Sequence, residues 1–261
     1  PEGSWQSPLI TPASPATHGA STPKIALHIH VHYPDLLAEL LKALNLNTHR
    51  PDLFLSCNNQ EASAGLKDQV GALGFNLKEL VITPNRGRDI GPLLTELGQT
   101  LDRDYAFHGH LHTKKSAQIN RQQGDDWRQF LIANLLGTPG VPMTDRIITA
   151  LQTDPNLGLV FPDDPTCVGW MGNRSDAQAL ASQLGITSLP HAFDFPVGTM
   201  FWARKGALTP LYDLKLSWNN YPQEPLAYDG TLLHAIERLL PFVAESQGYR
   251  YELTHVPGVS R

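Results

Sequence analysis

Short apolar runs alternate along the chain with stretches in which apolar residues recur every three or four positions. The runs predict β-strands, and the helical spacing predicts amphipathic helices between them. Strands are predicted at 24–31, 52–58, 77–83, 105–112, 158–162 and 195–204. The predicted helices carry their apolar stripes at 36–44, 66–73, 92–101, 125–137, 144–152 and 229–239.

Strands that alternate with helices predict an α/β fold of three layers, α/β/α, with a mostly parallel sheet covered by helices on both faces. Ligands on such sheets bind beyond the carboxyl ends of the strands. Polar segments that directly follow a predicted strand are therefore candidates for a functional site.

The first 23 residues have a different composition from the rest. They are rich in Pro, Ser, Thr and Ala and show no apolar period, which predicts a flexible linker at 1–23 and a folded domain at 24–261. The sequence has neither an initial methionine nor a signal-peptide pattern, so we expect it to be a piece of a longer polypeptide.

Composition narrows the classes of function. The 261 residues carry a formal net charge of -5, which argues against broad electrostatic binding to nucleic acid. Cys57 and Cys167 form neither a disulfide framework nor a zinc-binding spacing, which favours a reducing compartment. No apolar stretch is long enough to span a bilayer. We therefore expect a cytoplasmic domain, peripheral at most to the inner face of the membrane.

The segment NRGRDIGP follows the predicted strand at 77–83 and combines two arginines, a carboxylate and two glycines. Arg86 and Arg88 offer forked donors to a phosphate or ribose, and the glycines allow close backbone approach. Asp89 can accept hydrogen bonds from a hydroxyl group of a sugar. The alternative is an Arg–Asp pair that locks a turn.

The segment HLHTKKS ends the predicted strand at 105–112. His110, His112, Lys114 and Lys115 supply the positive charge that a departing diphosphate requires, a task that a divalent ion can also perform. Two alternatives are that the histidines bind a metal, or that the lysines are a solvated pair beside ordinary strand histidines.

The run HIHVH places His28, His30 and His32 on one face of the first strand. A structural role is expected for His28, whereas His30 and His32 lie nearer the strand end and within reach of a ligand. No carboxylate or cysteine spacing supports a metal site here.

In FPVGTMFWAR, the small residues Gly198 and Thr199 precede Phe201 and Trp202. This order suits a wall on which a sugar stacks, and a buried strand explains it equally well.

Two acidic residues lie near the start of the last predicted helix. Asp229 can act as a catalytic base for an incoming hydroxyl group or simply cap the helix. Glu224, five residues earlier, is the rival base, and Glu237 and Arg238 are expected on the outer or side face of the helix.

Five segments together, IHVHYPDLL, NRGRDIGPLL, HLHTKKS, FPVGTMFWAR and DGTLLHAIERL, resemble the rhamnan synthesis F family of bacterial polysaccharide biosynthesis proteins. The resemblance covers residues 24–248. It implies a GT-A-like glycosyltransferase that builds rhamnose-containing O-antigen or capsule from a nucleotide sugar, with dTDP-rhamnose as the expected donor. It points to a donor site made by His30, Arg86, Arg88, Asp89, His110, His112, Lys114 and Lys115, and to Glu224 and Asp229 as the catalytic carboxylates.

The order of segments also resembles GT-A transferases generally, in which an acidic residue opens the last helix. This favours Asp229 over Glu224 as the base of a single inverting displacement. GT-A enzymes usually carry an Asp-x-Asp metal motif after the fourth strand, and no such pair follows this strand here. Dependence on a divalent metal is therefore left open.

Other functions fit the same pattern. The expected partners of a transferase are a lipid-linked or polysaccharide acceptor and other domains of a larger polypeptide. A non-catalytic carbohydrate-binding or scaffold module of a multidomain synthase is the main alternative, because a separate catalytic domain can precede the linker. A phosphate-transferring or hydrolytic enzyme with the same basic pocket is a third possibility.

Overall fold

One eight-stranded sheet organises the molecule. The computed structural model describes residues 9–11, 23–113, 115, 121–164, 169–227 and 229–259. The strands, numbered along the chain, are β1 (Leu9–Ile10), β2 (Ile25–His30), β3 (Asp52–Cys57), β4 (Leu77–Ile82), β5 (Phe107–His112), β6 (Leu157–Pro162), β7 (Phe201–Arg204) and β8 (Arg250–Thr254). Their order across the sheet is β1-β8-β6-β7-β5-β2-β3-β4.

The helices connect these strands. They are α1 (Leu37–Leu44), α2 (Ser63–Ala72), α3 (Gly98–Asp104), α4 (Arg121–Leu135), α5 (Met143–Thr153), α6 (Arg174–Gln183), α7 (Thr209–Asp213) and α8 (Leu232–Ser246). A π-helical segment, Pro92–Leu97, leads into α3, and short 3-10 helices lie at Pro34–Leu36, Met171–Asn173 and Trp218–Asn220. None of the helices in the described ranges is both long and apolar enough to cross a bilayer.

Most neighbouring strands run parallel. The exception is β7, which pairs antiparallel with both β5 and β6, whereas the pairs β2–β3, β2–β5, β3–β4, β6–β8 and β1–β8 are parallel. The carboxyl ends of the parallel strands consequently share one edge of the sheet.

Side chains alternate between two cores on opposite faces of the sheet. On β2, Ile25, Leu27 and Ile29 pack with α1, α2, α4 and α5, because successive strand residues point to opposite faces. Ala26 packs on the other face with α3, α6, α7 and α8. The predicted three-layer α/β/α fold with a mostly parallel sheet is confirmed.

The structure adds elements that the apolar pattern did not indicate, namely β1, α6, α7 and β8. It also shortens the strand predicted at 195–204 to Phe201–Arg204. The cause is local, since Gly198 and Thr199 have φ angles of +83° and +57°, and a left-handed backbone does not fit a β-ladder.

Two residues of the predicted linker belong to the sheet. Leu9 and Ile10 pair with Leu253 and Thr254 of β8, and Ile10 is buried. The linker therefore does not include these two residues, and its boundary at residue 23 stays a prediction.

Candidate functional site

The loop after β4 is held in place by a glycine and an arginine. Gly87 has a φ of +74°, and an added Cβ would lie 2.9 Å from the Cα of Gly91 and 3.0 Å from the ring of Tyr221, so only glycine fits. Arg86 donates from Nε to the carbonyl of Tyr221 at 2.7 Å and contacts Asn219. Arg86 thus connects the loop to the segment at 218–221, and its role in a donor site stays a prediction.

Arg88 and Asp89 point in different directions from this loop. Arg88 has a φ of +48°, its side chain is 40% exposed, and its Nε lies 3.7 Å from Oε1 of Glu224. Asp89 is buried, and its Oδ2 lies 3.3 Å from Nε2 of His110. The loop therefore presents one accessible cation above one buried carboxylate.

Burial disfavours the charged form of Asp89, but the surrounding imidazoles outweigh it. The positive charge that His112 carries when protonated, the hydrogen bond from His110, and the charges of protonated His110 and His30 hold the pKa of Asp89 well below its usual range. Asp89 is consequently ionised at neutral pH.

A continuous set of buried polar side chains extends from Asp89 to the end of β2. The distances are 3.0 Å from His110 Nδ1 to His28 Nδ1, 2.8 Å from His28 Nε2 to Ser56 Oγ, and 2.9 Å from His30 Nδ1 to the same Oγ. All are buried. We call this set the histidine network; its members are His30, Ser56, His28, His110 and Asp89.

Burial is the main cause of the low pKa values in this network. It lowers the pKa of His28 well below the ordinary value, with help from the charges of His110 and His30. It lowers the pKa of His30 to about 3, although Asp89 acts in the opposite direction. Both rings are therefore neutral at physiological pH.

The turn before β7 joins β5 to α8. His112 donates from Nε2 to the carbonyl of Gly198 at 2.9 Å, and the amide of Gly198 donates to Oε1 of Glu237 at 2.6 Å. Thr199 is buried at the same turn. Gly198 and Thr199 thus lie next to His112, at the edge where the sequence placed a sugar pocket.

Trp202 does not lie with them. Its side chain is fully buried in the core on the α4 and α5 face of the sheet, and its indole N–H donates to the carbonyl of Leu135 at 3.2 Å. The expectation that Trp202 lines a sugar pocket is wrong, because the alternation along β7 turns it to the opposite face.

Asp229 is engaged by backbone and side-chain donors. Its Oδ2 accepts from the amide of Gly172 at 2.9 Å, and its Oδ1 accepts from the side chain of Asn173. The helix N-cap is Thr231, so Asp229 does not cap α8. Burial opposes ionisation of Asp229, but these hydrogen bonds and the nearby Arg238 lower its pKa.

The first turns of α8 contribute three residues that the sequence did not assign to the site, namely Arg238, Glu237 and His234. Arg238 is buried and donates to the carbonyl of Gly169 at 3.2 Å, and Glu237 binds Gly198 as described above. The expectation of an outer or side face is wrong for the buried Arg238, whereas Glu237 is partly buried.

His234 lies one turn before Arg238. Its Nδ1 forms a hydrogen bond with Oγ1 of Thr231, 2.8 Å away. Burial and the positive charge of Arg88 lower its pKa, and the carboxylates of Asp229 and Asp89 oppose them. The loop after β4 and the start of α8 therefore lie close enough for their charges to act on the same imidazole.

Lys115 of the lysine cluster already has partners. It donates to Oδ2 of Asp35 at 2.6 Å and lies 4.8 Å above the ring of Tyr33. Lys114 lies outside the described residues.

No three His, Cys, Asp or Glu side chains in the described ranges are arranged to hold one metal ion. Asp102 and Asp104 have the Asp-x-Asp spacing in the sequence, but they end α3 at the amino edge of β5. Asp102 accepts there from the amide of Gly206 at 2.8 Å, so this pair does not face the carboxyl edge.

The site can bind an anion and a polyol. Arg88 supplies an accessible cation, while Asp89, Glu224 and His30 are acceptors for hydroxyl groups. Arg88, Met171 and Thr199 are three of the four described non-glycine residues at positive φ, and such strain concentrates at functional sites.

Comparisons with known proteins give relatives over most of the chain. The uncharacterized protein WxcX from two strains of Xanthomonas campestris pv. campestris is 32% identical over 232 residues, which is 88% of this chain and 32% of the relative. The chain therefore spans about a third of the length of the curated relatives it matches.

Among solved structures, a cytidylyltransferase from Leptospira borgpetersenii serovar Hardjo-bovis matches 90% of this chain and 77% of its own, with 9% identity and a TM-score of 0.44. A likeness this distant has no bearing on activity. The family model of rhamnan synthesis protein F matches residues 6–249. This chain belongs to the rhamnan synthesis protein F family.

Proposed function

We propose that this chain is a GT-A-like glycosyltransferase domain that moves a sugar, rhamnose by expectation, from a nucleotide-sugar donor to a growing cell-surface polysaccharide. The observation that carries the proposal is that the partly exposed Arg88 and the buried Asp89, 3.3 Å from His110, follow β4 at the carboxyl edge of a mostly parallel sheet. Ligands of open α/β sheets bind at this edge. Membership of a family named for rhamnan synthesis supports a sugar nucleotide as the ligand.

Arg88 is the proposed partner of the diphosphate. Its guanidinium is partly exposed, and its carboxylate partner among the described residues lies 3.7 Å away, so a phosphate can bind it in a forked geometry. Positive charge held at this position stabilises the nucleoside diphosphate as it departs. Lys115 is not assigned this role, because Asp35 already neutralises it.

Glu224 is the proposed base. It accepts from the amide of Leu226 at 3.0 Å through Oε2, and Oε1 lies 3.7 Å from Arg88. Asp229 is the weaker candidate, since both oxygens already accept hydrogen bonds and its pKa is lowered. We assign to Asp229 the positioning of the segment 171–173 beside the site.

The proposed reaction is a single displacement. Glu224 takes the proton of the acceptor hydroxyl group while that oxygen attacks the anomeric carbon. The bond from this carbon to the diphosphate oxygen breaks, and the nucleoside diphosphate leaves with both bonding electrons. Attack opposite the leaving group inverts the anomeric centre.

A matched pair of variants tests the base. Glu224→Gln should lower the transfer rate about 10²- to 10⁴-fold, with dTDP-rhamnose binding by calorimetry nearly unchanged. Asp229→Asn should destabilise the fold by about 1–3 kcal/mol, because an amide donor faces the Gly172 amide. Full activity of Glu224→Gln, together with an inactive but stable Asp229→Asn, would return the role to Asp229.

The non-catalytic alternative predicts a different ligand. A carbohydrate-binding module would be stabilised in a thermal-shift experiment by oligosaccharide and not by a nucleoside diphosphate, whereas the proposed enzyme should be stabilised by the nucleoside diphosphate. Because the chain spans about a third of the relatives' length, we propose that other parts of the full protein contribute to binding the lipid-linked or polysaccharide acceptor at the cytoplasmic face of the membrane.

A further inference from the structure

The histidine network is unusual for its position. It occupies the centre of a parallel sheet, on strands β2, β3 and β5, where side chains are ordinarily aliphatic. Polar groups buried here are unfavourable unless each is hydrogen-bonded, and the network connects all of its members. Its ends lie at Asp89, below Arg88, and at His30, the last residue of β2.

The proton positions follow from one end of the network. Asp89 is ionised, and a carboxylate only accepts, so His110 must donate from Nε2. When His110 carries only this proton, its Nδ1 offers a lone pair, and His28 must donate to it from its own Nδ1.

The same assignment of donors and acceptors extends to His30, at the other end of the histidine network. Neutral His28 can only accept at Nε2, so the hydroxyl group of Ser56 donates to it. Ser56 has then used its one proton and must accept from Nδ1 of His30. His30 is thereby left with its proton on Nδ1 and a lone pair on Nε2.

We propose that the histidine network fixes the tautomer of His30, so that Nε2 of His30 accepts a hydrogen bond from a hydroxyl group of the bound nucleotide sugar. The nature of this ligand rests on the proposed function, whereas the tautomer does not. Among the described residues, Nε2 of His30 has no hydrogen-bond partner. His30 ends β2 and Asp89 lies in the loop after β4, so two acceptors belong to the same carboxyl edge of the sheet, an arrangement that suits a polyol.

Ser56 and His28 are positioning residues under this proposal. Ser56 is fully buried and cannot contact the ligand, but it is the link that sets the proton of His30. Removing its hydroxyl group should release His30 to the Nε2–H form, which free histidine favours in water. His30 would then present a donor to a ligand group that also donates.

The tautomer is measurable without any ligand. Long-range ¹H–¹⁵N correlation spectra of the histidine-labelled chain at pH 7.5 should show His30 and His28 protonated on Nδ1 and His110 on Nε2. A His110 protonated on both nitrogens would reverse the three links between His110 and His30 and place the His30 proton on Nε2. That result, or Nε2–H at His30 from any cause, overturns the proposal.

Two variants distinguish an effect of the histidine network from a general effect on folding. Ser56→Ala should move the His30 proton to Nε2 and weaken binding of dTDP-rhamnose about 2- to 10-fold, the usual range for one hydrogen bond. Tyr212→Phe is the control, since it removes a hydroxyl group bonded to another buried histidine, His108, 2.8 Å away, and should leave both readouts unchanged. Equal effects of the two variants would contradict the proposal.

Contact between His30 and the ligand is measured by a separate experiment. Addition of dTDP-rhamnose should shift the Nε2 resonance of His30 while that nitrogen stays unprotonated. Binding seen by calorimetry with no change at His30 would refute the contact. Absence of any binding, with the expected tautomer, would instead refute the proposed function and the contact together while the network's proton order stood.

Discussion

The two faces of the central sheet are built from the same strands and have opposite chemistry. On β2, the residues facing α1 and α4 are Ile25, Leu27 and Ile29, while His28 and His30 face the other side and join the histidine network. On β7, Trp202 enters the first core and Phe201 the second. Neighbouring residues of one strand therefore point to opposite faces, so that one stabilises the fold and the next can contact a ligand.

This difference teaches where to expect each kind of mutational effect. The aliphatic face contributes apolar burial, which is independent of pH and ligand. The polar face contributes connected hydrogen bonds and buried neutral imidazoles, which respond to both. The following predictions test that separation.

Leu27→Ala should produce the largest change. Leu27 is fully buried, so its truncation leaves a cavity and should lower the free energy of unfolding by about 2–5 kcal/mol. Affinity for dTDP-rhamnose should stay within about twofold at a temperature where the variant is folded. Chemical denaturation and calorimetry measure the two effects, and a large loss of affinity would break the proposed separation of the faces.

Acid should destabilise the polar face. The folded-state pKa of His30 is lowered to about 3, whereas an unfolded histidine titrates near 6.5. The unfolded chain therefore binds more protons between these values, and stability is fully present above pH 6.5 and falls as the pH decreases towards 3. Each such histidine contributes a slope of about 1.4 kcal/mol per pH unit.

The matched comparison for this prediction uses one variant from each face. His30→Gln should reduce the slope of unfolding free energy against pH between 6 and 4.5 by about one proton. Leu27→Ala should lower the whole curve without changing that slope. A His30→Gln slope equal to that of the wild type would show that His30 does not titrate in this way.

Arg88→Ala should affect binding more than stability. Hydrogen bonds to charged groups contribute about 1.5–3 kcal/mol, so affinity for a nucleoside diphosphate should fall about 10- to 100-fold. The partly exposed pair with Glu224 contributes at most about 1 kcal/mol to folding. Calorimetry with dTDP and a denaturation curve distinguish the two, and unchanged affinity would move the phosphate site elsewhere.

Lys115→Ala should have the smallest effect. Its exposed pair with Asp35 contributes about 0–1 kcal/mol to folding, and its side chain is directed to Asp35 and Tyr33. We expect dTDP affinity to stay within about twofold. A loss comparable to that of Arg88→Ala would reinstate the lysine cluster as part of the donor site.

The sequence predicted the sheet because periodicity is a local signal. Alternation and β-branched runs marked β2 to β6, and leucine spacing marked α1 and α8. The helix α6, RSDAQALASQ, was not predicted because Leu180 is its one large apolar residue. The short edge strand β1 depends on pairing with β8, at the other end of the chain, which no local pattern reports.

The site was predicted less completely, for a related reason. Period two placed His28 and His30 on one face, and the loop after β4 was identified by its glycines and charges. Glu237 and Arg238 were misplaced because the face of α8 that is buried depends on contacts with residues 39 and 69 positions away. Ser56 gave no signal beyond a hydroxyl group in an apolar run.

The most direct test of the central claim follows both halves of the donor, the nucleoside diphosphate and the sugar, in one reaction. The chain is incubated with dTDP-rhamnose and a lipid-linked acceptor, with and without Mn²⁺, and released dTDP and acceptor mass are followed together. We predict that each dTDP released corresponds to one sugar gained by the acceptor, and that Glu224→Gln loses both signals. Binding without dTDP release, or release of free sugar or phosphate with an unmodified acceptor, would contradict the account.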